Sequence, residues 1–192
     1  MPGPVLPGRM EKSSVGAFLE TLHWLAAASY PLCLGYGVVS DVRRLIIPNG
    51  TCILIAVMFL PTALLAGMEF SSLAWHYAVG AGFLAVGLAL FSRNLIGGGD
   101  AKLLAAAGVW IGPGDLWAYV GLVAVLGGVL AGLILIAQKF RDTSSFLGAV
   151  PWLGHEDAKT QPTPYGVAIG VAAVYLFYGN PVFPHAWTLA LG

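Results

Sequence analysis

Charge is what this chain mostly lacks. Nine Lys or Arg and nine Asp or Glu are spread through 192 residues, 9% of the total, where a soluble domain carries about a quarter. The even balance of signs supplies no basic surface, so no nucleic-acid partner is expected. Cysteine is nearly absent too. Cys33 and Cys52 lie in separate apolar stretches with no Cys-x-x-Cys pair, which excludes a zinc knuckle, argues against a disulfide framework and leaves both as small packing residues. No set of His, Cys and carboxylates has ligand spacing, so neither a metal nor another cofactor is expected. The adjacent His155, Glu156 and Asp157 read as a solvated loop patch.

Hydrocarbon takes the place of charge: 58% of the residues are hydrophobic, the composition of an integral membrane protein. A helix crossing the roughly 30 Å apolar layer needs about 20 mostly apolar residues. The runs predict an all-α, polytopic transmembrane bundle of about six spans. They cover Phe18–Val39, Gly50–Ala66, Leu73–Phe91, a short fourth at Ala101–Ile111, Leu116–Gln138, and a sixth from Pro164 to Tyr178. The fourth is cut short by the turn Gly112-Pro113-Gly114-Asp115, and Asn180-Pro181 breaks the sixth. Residues 1–17 form a polar, proline-containing N-terminal segment; residues 18–192 form the membrane domain, with a long loop at 139–163. The first apolar run starts too late and extends too far for a cleaved signal peptide, and is expected to be retained. Within the long loop, Phe146 to Leu153 with Trp152 reads as a segment resting in the membrane interface, with a role in holding a substrate as the alternative.

Seven of the nine positive charges fall in alternate connections: Arg43 and Arg44, Arg93 and Lys102, and Lys139, Arg141 and Lys159. The positive-inside rule makes those connections cytoplasmic and the N-terminus external, with Arg9 and Lys12 dissenting. The opposite connections carry Glu69 and Asp115 and no base. Two aspartates then stand out. Asp41 closes the first span and Asp100 opens the fourth, so both belong to the cytoplasmic face at similar depth. A carboxylate near hydrocarbon is costly and is a functional hypothesis by default. Two that face each other can share one proton and activate a water, the chemistry of an aspartic protease.

Each aspartate alone has a plainer explanation. Asp41 before Arg43 and Arg44 fits a salt-bridged span end, and Asp100 after Gly97-Gly98-Gly99 fits a cap at a helix N-terminus. Three glycines also disfavour regular helix and let another backbone come close to the carboxylate. Pro48-Asn49 reads as the turn into the second span; Asn49 could hydrogen-bond near Asp41, with turn chemistry as the alternative. His23 and His76, inside spans, read as packed and hydrogen-bonded residues. Gly80, Gly82, Gly87, Gly127, Gly128 and Gly132 fit close helix packing.

Taken together, Asp41-x-Arg43-x-x-x-Ile47-Pro48-Asn49, Gly97-x-Gly99-Asp100 and Pro164-Tyr165-Gly166 resemble the signature of the type IV prepilin peptidases, the aspartic membrane endopeptidases with a GxGD motif. The resemblance extends from the first span to the sixth. It implies that Asp41 and Asp100 are the catalytic dyad, with Gly97, Gly98, Gly99, Pro48, Asn49, Pro164, Tyr165 and Gly166 shaping the site. Arg43 and Lys102 are candidates for tuning its electrostatics, with snorkelling span-end anchors as the preferred role. Prepilin or pseudopilin precursors are the implied substrates, cut after a short basic leader at the cytoplasmic face of the bacterial inner membrane. The lipid bilayer and a pilus or secretion machine are the implied surroundings. Longer members carry a zinc-binding insert with paired cysteines and also methylate the new N-terminus. This chain lacks the cysteine pairs and is closer to the compact form associated with Flp pili and tight adherence (CpaA/TadV-like), so methylation is not expected. Two other classes fit an acidic pair in a membrane: a small proton-coupled transporter or channel, which would favour acids near the midplane, and a non-catalytic pilus-assembly subunit.

Overall fold

A computed structural model describes residues 14–139 and 163–178. Among them are six helices and no strand: α1 (Ser14–Arg44), α2 (Asn49–Leu65), α3 (Phe70–Ser92), α4 (Gly98–Ile111), α5 (Leu116–Lys139) and α6 (Gly166–Phe177). The expected interfacial segment at 146–153, the His155 patch and residues 1–13 of the polar N-terminal segment lie outside the described residues, while residues 14–17, expected to belong to that segment, already open α1.

Apolar runs explain why each helix forms, and length decides what each can do. Three helices, Ser14–Arg44, Phe70–Ser92 and Leu116–Ala137, are long and apolar enough to cross a membrane. Large apolar side chains on their outer faces, such as Leu32, Val86 and Leu133, are exposed. A face with no packing partner and no charge is what lipid solvates. Helices α2 and α6 are also apolar but shorter.

Helix α4 is different. Its 14 residues reach only about 21 Å, and every residue from Leu103 to Ile111 except the half-buried Leu104 is buried. It packs against α3, α2, α6 and α5 and so forms the axis of the bundle. Ala101, Ala105, Ala106, Ala107 and Gly108 give it small side chains on every side, which lets neighbours close in. A Cβ at Gly80 or Gly87 of α3 would collide with Val109 or Ala101 of α4, at 2.9 Å or less. The packing role expected of the glycines therefore holds at those two positions. It does not hold at Gly82, Gly128 or Gly132, where a Cβ would meet nothing within 4 Å.

An aromatic cluster closes the middle. Trp110 stacks on Tyr30 with ring centroids 4.4 Å apart and meets Phe59 and Phe177 edge-on. Its indole N–H donates to the Ile55 carbonyl at 2.8 Å. That bond satisfies the ring's one polar atom, as a fully buried Trp requires. The cluster joins α1, α2, α4 and α6, and so holds in place the helices that carry the site.

Candidate active site

The chain reverses sharply after α1. Leu45 takes φ +53°, a left-handed conformation rarely adopted by a residue with a branched side chain. Its N–H returns to the Asp41 carbonyl at 2.8 Å, and the Ser40 hydroxyl reaches forward to the Ile46 carbonyl at 2.6 Å. The turn drives Ile47 into the core and lets Pro48, in extended backbone, precede α2. A strained residue of this kind persists where its surroundings over-determine it, often beside a functional site.

Asp41 sits in the last turns of α1 rather than beyond its end, and it is 5% exposed. Its Oδ2 accepts a hydrogen bond from the Gly166 N–H at 2.9 Å. Gly166 is the first residue of α6, so this N–H is one of the donors that a helix start leaves unpaired. Only glycine fits there: a Cβ would lie 2.7 Å from Asp41 Oδ2.

Asp100 is 8% exposed and stands at the third position of α4, after Gly97 at the cap. Its carboxylate folds back over the helix start, so that a Cβ on Gly97 would lie 2.7 Å from Oδ2, the direction of the return half of a capping box. The plain capping explanation is thus partly right, although the cap itself is Gly97. The glycines differ from expectation in one respect: Gly98 and Gly99 are helical, forming the first turn of α4. Close approach is their real contribution. A Cβ on Gly99 would lie 3.2 Å from Ile47 and one on Gly98 3.3 Å from the Phe91 ring.

The two carboxylates meet. Asp41, held by the Gly166 N–H, is close enough to Asp100 for the two charges to act on each other. Asp100 Oδ1 is buried and has no hydrogen-bond partner among the described residues. In a low-dielectric interior such an atom is costly unless something else arrives to bind it. An Asp41 oxygen held by a backbone amide beside an Asp100 oxygen left open is an arrangement that can grip a water or a carbonyl.

The remaining candidates divide. Pro164 is fully buried and Tyr165 half-buried beside Asp100, so the Pro164-Tyr165-Gly166 element closes one side of the pair. Asn49 is exposed, and its Oδ1 accepts from the Lys102 ammonium at 2.9 Å. That bond ties α2 to α4 and directs Lys102 to Asn49. Arg43 is exposed on the final turn of α1. Among the described residues no three His, Cys, Asp or Glu gather as a metal site. Sequence reasoning named Gly166 only as site-shaping and missed that its N–H holds Asp41; the signal was a glycine directly after Pro-Tyr at a helix start.

A helical membrane bundle that buries two interacting aspartates at one end defines the class. Residues 28–137 match the type IV leader peptidase family, a stretch that includes both aspartates and stops short of Pro164–Gly166. The chain belongs to that family. It is 29% identical over 160 residues to the prepilin leader peptidase/N-methyltransferase of Bacillus subtilis (strain 168), across 80% of this chain and 56% of that relative. The chain thus spans little more than half the length of the curated relative it matches. No solved structure matches it.

Proposed function

We propose that the protein is a membrane-embedded aspartic endopeptidase that removes the short basic leader of prepilin-like precursors at the cytoplasmic face of the bacterial inner membrane. The observation that carries this reading is two buried aspartates, Asp41 and Asp100, close enough to interact through their charges, in a chain of the leader peptidase family. Two carboxylates that close share a proton. The ionised one takes a proton from water as its oxygen attacks the scissile carbonyl carbon, while the protonated one donates to the carbonyl oxygen. Collapse of the tetrahedral intermediate re-forms the carbonyl, breaks the C–N bond and returns a proton to the departing amine. The first turns of α4 and α6 both start beside the dyad, and the positive ends of these helices favour the negative charge that develops there.

The relative's name couples cleavage with N-methylation. We assign this chain cleavage alone. Cys33 is half-buried in α1 and Cys52 buried in α2, and neither belongs to a cysteine pair of the kind that holds zinc in the longer members. The compact organisation also favours a Flp-type or tight-adherence substrate. Co-expression with a candidate precursor tests the reading: mass spectrometry should find a product shortened by its leader and bearing an unmethylated amine. An intact precursor with wild-type enzyme would contradict cleavage, and a methylated product would contradict the restriction.

A further inference from the structure

The cavity of about 340 Å³ that borders Asp100 belongs to the active site. A larger groove, of about 500 Å³, lies on the opposite side of α4 and touches neither aspartate. Helix α4 is its floor; α2 and α3 are its walls, and they pack on α4 far more than on each other. The lining comes from 49–56 of α2, 77–84 of α3 and 102–109 of α4. Hydrogen bonds from Lys102 to Asn49 and from Trp110 to Ile55 set α2 parallel to α4. The close approach of Gly87 to Ala101 and of Gly80 to Val109 sets α3 antiparallel. The three runs are therefore in register, and the groove extends along the helices for two turns, about 10 Å, from the end that carries the dyad.

Polarity changes once along that length. At the dyad end stand Asn49 and Lys102, both exposed and joined at 2.9 Å. The Lys102 ammonium has three N–H donors and Asn49 takes one; no carboxylate lines the groove. Further in, the floor is Ala105 and Ala106, and the rims are Ile53 and Leu84, large apolar side chains left exposed. At the deep end the Tyr77 hydroxyl donates to the Ala56 carbonyl at 3.0 Å. That bond satisfies the one hydroxyl there and ties α3 to α2. It also stops the groove at two turns, too short to seat a helix that crosses the bilayer. What fits is an amphiphile with an anion at the level of Lys102 and hydrocarbon below it. In a bilayer, a phospholipid supplies both at those depths.

We infer that this groove holds one phospholipid with an anionic headgroup, its phosphate on Lys102 and an acyl chain lying over Ala105 and Ala106 between α2 and α3. The site depends on the bundle lying in a bilayer and not on the protease reading.

The full chain is reconstituted in nanodiscs of equal phosphatidylglycerol and phosphatidylethanolamine with matched chains, extracted in mild detergent and weighed by native mass spectrometry. Wild type should retain one phospholipid and favour phosphatidylglycerol by about fivefold. Lys102→Gln should lose that preference. Ala81→Phe puts a ring into the groove from an exposed position of α3. It should keep its helical circular dichroism and lower retention of either lipid by at least about tenfold. Gly82→Leu, next along α3 but off the groove, where a Cβ meets nothing within 4 Å, should retain lipid as wild type does. Phosphatidylglycerol with a diazirine in mid-chain should label residues 53–56 or 77–84 of wild type and spare them in Ala81→Phe. Undiminished retention by Ala81→Phe, an unchanged headgroup preference in Lys102→Gln, or label confined to the outer faces of α1 and α5 overturns the site. So does a lipid-free dimer that Ala81→Phe dissociates, which would give the groove to a second copy of the chain.

Discussion

The two ends of α4 bury polar side chains in opposite ways. At its C-terminal end His76 is anchored: Nδ1 lies 2.8 Å from the Val109 carbonyl, and the ring stacks on Phe59 at 4.8 Å. Gly112, at φ +69°, passes so close that a Cβ would overlap the imidazole. At its N-terminal end Asp100 keeps one oxygen unpartnered, faces a second carboxylate and borders a cavity. At the first end the ring is paired with backbone and packed on an aromatic, which is how a buried polar group contributes to structure. The second is deliberately incomplete, which is how a buried polar group does chemistry.

Substitutions at the two ends should separate activity from stability. The largest effect belongs to the aspartates: Asp41→Asn or Asp100→Asn should each lower kcat/KM for leader removal by at least about 10³-fold. The protein should still insert and keep its helical circular dichroism, because the amide is isosteric. Gly166→Ala comes next, at about 10²-fold in kcat/KM, since its methyl displaces the Asp41 carboxylate by an ångström-scale shift. At the closed end the signature reverses. Gly112→Ala should cost about 1–3 kcal/mol, read as a lower Tm in detergent, while activity per folded molecule persists. His76→Phe keeps the stacking and loses the Val109 bond, for about 1 kcal/mol. Smallest of all, Lys102→Gln should change kcat/KM by less than about threefold, because the exposed ammonium serves Asn49. A Lys102 variant with an aspartate-sized defect would erase the distinction between structural and chemical contacts at this end.

The same contrast explains what could be read in advance. The helices follow from apolar runs, and their ends shift by only a few residues from the sequence reading. The packed state of His76 was legible because a lone histidine in an apolar span has few alternatives to a backbone carbonyl. Asp41 and Asp100 were legible as a pair because charge is so rare here that any two acids at one depth are conspicuous. The role of Gly166 was not, since a backbone N–H leaves no trace in side-chain chemistry; Pro164-Tyr165-Gly166 signalled a turn but not its partner. The central position of α4 was only half visible. Its short length looked like an insecure span, whereas small residues on every face mark a helix enclosed by others. The cavity beside Asp100 could not be read at all, because it is made of what α5 leaves out at Gly127 and Gly128.

The central claim is that Asp41 and Asp100 act as one unit, and a double-mutant cycle on purified protein addresses it directly. kcat/KM for a prepilin-like substrate should fall to the same floor in Asp41→Asn, Asp100→Asn and the double variant, because removing either partner already dismantles the pair. Separate losses that multiply in the double variant, or full cleavage by either single variant, would contradict the account.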